Sequence, residues 1–355
     1  MKNYKIQKYI QNIYMYRRGR IKSEKLLRSP PASPFQGLSG GEFRKCFSDL
    51  ILPRLYALFF LYVFLLLMVL IITSGCSAAK INEITDRTGR NVTIKGSVNR
   101  VVSAAPSNTE IIVDIGQAHR LVAVDRHSAD IDGIPSNLPL LDFFYPDAEV
   151  LVNLEPDLII ASGHNATGSG EDPFRLLREM GIPVVYISMS KNIEDIYLDI
   201  EFIARLLQAQ TEGEALINLT RSRINEITQM AAGIEDRKNV YFEISAAPLM
   251  MTFGADSFIN DMITVIGARN IFENENWLVT PGAEAVIDRN PDVILTNVTY
   301  IDDPIDEIKN RPGFNHINAV KNNRIYSIDN NSSSRPSARV VLALRQMFDA
   351  VYGGL

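Results

Sequence analysis

Two twelve-residue segments 135 positions apart align without a gap, and this internal echo restricts the folds open to the chain more than any other feature. Pro146-Asp-Ala148-Glu149-Val-Leu-Val-Asn-Leu-Glu-Pro156-Asp157 matches Pro281-Gly-Ala283-Glu284-Ala-Val-Ile-Asp-Arg-Asn-Pro291-Asp292 at five of twelve positions. Each copy runs into an apolar tetrapeptide, Leu158–Ala161 and Val293–Thr296. Ahead of them, Ser103-Ala-Ala-Pro106 is echoed by Ser245-Ala-Ala-Pro248. Two echoes in the same order predict two structurally related lobes.

The flanking pattern supplies the fold class. Ile84–Ile94 predicts a hairpin turning near Gly89, followed by a short apolar strand at 100–104 and strands apolar throughout at 121–124, 158–161 and 184–187. A helix is expected over 107–116, with a polar start and a glycine stop. Strands apolar on both faces and separated by helices predict parallel sheets covered on both sides, an α/β fold. Ile193, Ile196, Ile200, Ile203 and Leu207 form one helical stripe. A second helix over 211–234, with Ile217, Ile224, Ile227, Ala231 and Ile234 on one side, would extend about 35 Å, enough to cross between lobes. The pattern restarts at 240–244, 293–296 and 325–328, and closes with a helix over 337–352 whose Val340, Leu344, Met347 and Val351 face inward.

Charge is segregated along the 355 residues. Of 36 basic and 41 acidic residues, 12 and 3 lie in 1–54, none lie in 55–75, and 24 and 38 lie in 76–355. An acidic folded part argues against nucleic acid as a partner. The uncharged run is long enough to span a bilayer, and it ends Thr73-Ser-Gly75-Cys76, which resembles a bacterial lipoprotein signal with Thr73 in place of the usual leucine. Either cleaved or kept as an anchor, it leaves the basic side in the cytoplasm and exports the rest. With only Cys46 and Cys76 in the chain, a disulfide or cysteine metal site in the exported part is excluded.

Catalytic patterns are missing. The chain has no Walker-type phosphate loop, no dinucleotide-binding glycine pattern and no HExxH zinc motif. Gly37-Leu-Ser39-Gly-Gly41 fits a hydrolase elbow by letters alone, without the flanking strand and helix. His119, His127, His164 and His316 are scattered. Gly163–Asp172 follows a strand and is either an anion cradle or a plain connecting loop. Phe143, Phe144 and Tyr145 precede the first Pro-x-Ala-Glu element and Trp277 precedes the second, so facing lobes would bring aromatic surfaces to the cleft mouth. Arg126, Tyr300 and Arg335 lie in predicted loops after strands, where donors for an anionic ligand would sit.

The order of signal, hairpin, Arg100-Val-Val-Ser-Ala-Ala-Pro-Ser-Asn-Thr-Glu110, Pro-x-Ala-Glu, long helix and second lobe resembles the substrate-binding lipoproteins of metal-chelate ABC importers. The resemblance covers about 83–355. It implies two parallel-sheet α/β lobes joined by a long bridging helix with a ligand cleft between them, no enzymatic activity and no resident cofactor or metal. It implies an iron(III)-siderophore, haem or cobalamin as ligand, contacted by Phe143, Tyr145 and Trp277 with Arg126, Tyr300 and Arg335. Phe-Phe-Tyr where cobalamin binders often carry tryptophan tilts the expectation towards an iron chelate, with a corrinoid close behind; a zinc-ion receptor or an exported enzyme is the distant alternative. Cys76 would carry the lipid that holds the protein to the outer face of the membrane, and Glu149 and Glu284 would dock on a permease dimer with its ATPase subunits. The expected division is 1–54 basic region, 55–75 signal or membrane segment, 76–82 lipidated tether, 83–190 N-terminal lobe, 191–234 helices including the bridge, and 235–355 C-terminal lobe.

Overall fold

The computed structural model describes residues 58–62, 81–163, 165 and 172–353. Cys76, the basic arm and most of the loop after Gly163, His164 included, lie outside these residues. The chain divides into two compact units, 1–78 and 79–355. In the first, residues 58–62 are helical and exposed, with the rings of Phe59 and Phe60 edge to face at 6.2 Å. Among the described residues no helix is long and apolar enough to cross a membrane.

The second unit begins with the expected hairpin, β1 (Ile81–Thr85) and β2 (Asn91–Lys95), turning at Gly89 with φ +87°. Asp86 fixes it: one carboxylate oxygen accepts from the backbone N–H groups of Thr88 and Arg90, and the other accepts from that of Tyr186. The hairpin is thereby tied to the first lobe.

That lobe holds β3 (Val101–Ser103), β4 (Leu121–Asp125), β5 (Leu140–Leu141), β6 (Leu158–Ser162) and β7 (Val184–Ile187) in the order β5-β4-β3-β6-β7, all neighbours parallel. The second holds β8 (Asn239–Glu243), β10 (Arg269–Asn270), β12 (Val293–Thr296) and β13 (Ile325–Ser327) in the order β10-β8-β12-β13, again parallel. The series β4-β3-β6-β7 and β10-β8-β12-β13 have one topology, so the sequence echo is a repeat of architecture. The central strands are buried on both faces, as their apolar composition requires. The Ser-Ala-Ala-Pro echoes follow equivalent strands but diverge at once. The first enters helix α1 (Pro106–Asp114), whereas the second turns back so that Ser245 pairs with Met251.

The Pro-x-Ala-Glu elements form α2 (Ala148–Asn153) and α5 (Ala283–Arg289). Their prolines precede the N-cap residues Asp147 and Gly282, and Glu149 and Glu284 are second in their helices rather than a full turn inside. Both glutamates are exposed.

Between the sheets run α3 (Ile193–Leu206) and α4 (Gln210–Ala231). The 22 residues of α4 extend about 33 Å at 1.5 Å per residue; the helix stops short of the expected Ile234. A Cβ on Gly213 would come 2.4 Å from Ala204 Cβ, so only glycine lets α4 approach α3 this closely. Ile196, Ile200 and Ile203 of α3, Ile224 and Ile227 of α4, and Val340, Leu344, Met347 and Val351 of the closing helix α6 (Val340–Tyr352) join strands of both sheets in one continuous core. Each lobe adds a smaller core on its far side, around Phe174 and Tyr186 in the first and Tyr241 and Phe314 in the second.

Candidate ligand-binding site

The residues immediately beyond the carboxyl ends of the parallel strands converge on one cavity: Ala105 after β3, Arg126 after β4, Ile187 at the end of β7, Ile244 after β8 and Asn297 after β12. This is where open α/β sheets bind ligands. The cavity measures about 800 Å³, towards the upper end of the about 300–1,000 Å³ range of small-molecule sites.

The two lobes supply different walls. From the first come Ser107 and Asn108 of α1, Arg126, His127, Ala129 and Asp130 after β4, and Phe144. From the second come Phe253, Phe258 and Trp277 as an aromatic face, with Asn297, Asn330 and Asn331 beside it. Phe253 and Trp277 meet edge to face at 5.3 Å. Trp277 has φ +54°, a region that costs a bulky residue about 1–3 kcal/mol and persists only where the surroundings hold it.

A polar clamp closes one side of the cavity. Glu110 on α1 is buried, accepting from Ser337 Oγ at 2.5 Å and from Arg335 at 3.0 Å. Arg335 also donates to the carbonyl of His127 at 2.8 Å and to Asp130 at 2.9 Å, and Asn331 donates to Asp130. Arg339 pairs with Asp114 at 3.2 Å. Burial raises the Glu110 pKa, only partly offset by Ser337 and Arg335. Burial also pushes on Asp130, but the hydrogen bond from Arg335 prevails and lowers it. Deeper in the wall, Asp199 is buried against Arg87 at 2.7 Å and Ser190 at 3.1 Å. Burial carries its pKa up to about 6, with Arg87 and Ser190 opposing.

The residues singled out from the sequence separate here. Trp277, Arg126 and Arg335 line the cavity. Phe143 does not: it is 1% exposed, packed on Phe174 at 6.0 Å in the first lobe's core, and its neighbour Phe144 takes the place at the cavity. Tyr145 is 87% exposed and outside the lining. Tyr300 is also outside; its hydroxyl accepts from the Ala246 N–H at 2.7 Å, tying two second-lobe loops together. Arg126 pairs with Asp142 at 2.9 Å, and Arg335 serves the clamp. Sequence reasoning missed the clamp, Asp199 and Phe253. One signal was available: Asn108-Thr-Glu110, read as a polar helix start, is a run of three consecutive polar residues, and all three are buried. Among the described residues no cluster of histidine, cysteine and carboxylate side chains is arranged to hold a metal ion.

Residues 101–332 match the family described as periplasmic binding protein. The uncharacterized ABC transporter substrate-binding lipoprotein YvrC of Bacillus subtilis is 28% identical over 274 residues, covering 76% of this chain and 85% of the relative. A vitamin B12-binding protein of Vibrio campbellii is 24% identical over 255 residues, covering 71% and 89%. Among solved structures, a possible iron-binding periplasmic solute-binding protein of Staphylococcus epidermidis is 29% identical with a TM-score of 0.66, covering 72% of this chain and 99% of that one. These relatives are solute-binding proteins, and the chain belongs to the periplasmic binding protein family, among the substrate-binding proteins of metal-chelate ABC importers.

Proposed function

We propose that the protein captures a metal chelate with an uncharged, amide-bearing periphery, a corrinoid first, and hands it to an ABC permease. The observation that carries this reading is the commitment of the cavity arginine Arg335, held by Glu110 and Asp130, while the half-exposed Arg126 is turned towards Asp142. A catecholate or citrate chelate needs uncommitted cations. The described lining instead offers Asn and Ser side chains and the aromatic faces of Phe144 and Trp277. The named ligand of the Vibrio relative supports the corrinoid. A neutral ferric siderophore of hydroxamate type is the second reading, supported by the iron-binding description of the Staphylococcus neighbour. This reverses the order of preference drawn from sequence, where Phe-Phe-Tyr in place of tryptophan put an iron chelate ahead of a corrinoid.

The test is difference absorbance of residues 77–355 with cyanocobalamin, a ferric hydroxamate, a ferric catecholate, ferric citrate and haem. Saturable one-to-one binding of cyanocobalamin is expected; binding confined to the anionic chelates would overturn the reading. Lipid attachment at Cys76 and docking through Glu149 and Glu284 belong to the same proposal. Cys76→Ala should abolish lipid labelling and leave an unprocessed precursor. Glu149→Arg with Glu284→Arg should spare chelate binding while nearly abolishing uptake in reconstituted membranes, and normal uptake would reduce both glutamates to N-terminal helix-dipole partners.

A further inference from the structure

We infer that Gly254 and Phe253 are positioning residues for the binding site, holding Trp277 in one orientation before any ligand arrives. For its ligand the inference rests on the function proposed above; for its geometry it stands alone.

Trp277 occupies the left-handed backbone region at φ +54°, where a bulky residue does not settle unaided. Its own backbone bonds supply the hold. Gly254 N–H donates to the Trp277 carbonyl at 2.8 Å, Trp277 N–H donates to the Ala255 carbonyl at 2.8 Å, and Ala255 N–H donates to the Glu275 carbonyl at 2.7 Å. Both polar groups of the Trp277 backbone are therefore committed. The pairing extends the two-stranded ladder of β9 (Thr252–Phe253) with β11 (Leu278–Val279).

Such an approach requires a residue without a side chain. A Cβ on Gly254 would stand 2.2 Å from the Glu275 carbonyl oxygen and 2.7 Å from that of Phe272. Both obstacles are backbone, so neither can swing aside as a side-chain tip would. Gly254 is needed for space rather than for its dihedral angles. Phe253 completes the support, its ring edge to face with Trp277 at 5.3 Å and its carbonyl accepting from the buried Asn270 at 2.8 Å. An aromatic surface already fixed gives up little freedom when a chelate lands on it.

Trp277 is the sole tryptophan of the chain, so its emission reports this position alone. Gly254→Ala should raise acrylamide quenching of the ligand-free protein, lower its emission anisotropy, and weaken cyanocobalamin binding about tenfold or more, the scale of a misplaced aromatic anchor. Gly233→Ala, where an added methyl meets open space, should change none of these. Should Gly254→Ala fail to fold by circular dichroism, Phe253→Leu carries the test: it keeps apolar bulk, removes the ring edge and should still raise quenching. Wild-type quenching and anisotropy in the folded Gly254→Ala protein, or in Phe253→Leu, would overturn the inference. If wild type binds no cyanocobalamin while the ligand-free emission changes as expected, the ligand assignment fails and the positioning role stands.

Discussion

The two lobes share a strand order and a Pro-x-Ala-Glu element, yet they treat the cleft in opposite ways. The first presents polar and charged groups, Arg126, His127 and Asp130, with Glu110 buried behind them. The second presents rings, Phe253, Phe258 and Trp277, on a backbone bent to aim one of them. What the two lobes have in common is what the sheets need, apolar strands and the helices covering them. The loops beyond the strand ends are free of that constraint, and they differ, forming two complementary walls.

The lobes also differ in how they use a buried carboxylate and arginine. In the second, Glu243 at the end of β8 is fully buried and paired with Arg311 inside the lobe, at 2.5 and 2.8 Å. Glu110 of the first lobe is paired with Arg335, which reaches it from the far side of the cleft. Removing one partner of a buried pair strands the other charge. Arg311→Ala should therefore cost about 3–5 kcal/mol in chemical denaturation. Arg335→Ala should cost less, about 1–3 kcal/mol, because Glu110 keeps both the short bond from Ser337 and the Arg339 guanidinium at 3.9 Å, whereas Glu243 keeps only Tyr241 at 3.3 Å and no second arginine among the described pairs. Equal losses would show that the clamp is as self-contained as the intralobe pair.

Trp277→Ala sharpens the contrast of walls. It should weaken chelate binding by about 1–3 kcal/mol, as for a buried aromatic anchor, with little change in denaturation midpoint. Phe143→Ala should do the reverse, costing about 3–5 kcal/mol of stability and acting on binding only through the fold. A calorimetric titration of both variants tells them apart.

Asp199, on α3 and held by Arg87 of the hairpin turn and Ser190, gives the cavity wall a pH-sensitive group. Its folded pKa of about 6 lies above the unfolded value, so its contribution to stability is fully present below about pH 4 and lost as pH rises towards 6. Asp199→Asn should remove that decline, and the variant should gain on wild type by about 1–3 kcal/mol across the window. A difference independent of pH between 4 and 6 would contradict this. The smallest effect expected is in shape: the continuous core through α3, α4 and α6 should hold the lobes, so scattering should show no measurable compaction when chelate is added.

Regular structure was legible because apolar periodicity is local. The strands at 158–161 and 293–296, the stripe from Ile193 to Leu207 and the inward face of α6 follow directly from spacing. The site was legible where the repeat pointed to it, as at Trp277, and where loops follow strands, as at Arg126 and Arg335. Phe143 and Phe144 are adjacent and chemically alike, and which of them turns inward is decided by the packing of Phe174, 31 positions later. Glu110 and Arg335 meet across 225 positions, and no local pattern in either segment names its partner.

The proposed seating of a metal chelate between the two walls is tested most directly by anomalous scattering at the metal edge, from crystals of residues 77–355 grown with cyanocobalamin. A single cobalt peak is expected inside the cavity, with the corrin between Trp277 of the second lobe and Phe144 of the first. A cobalt peak outside that cavity, or crystals grown at saturating cyanocobalamin with no cobalt in it, would overturn the proposal.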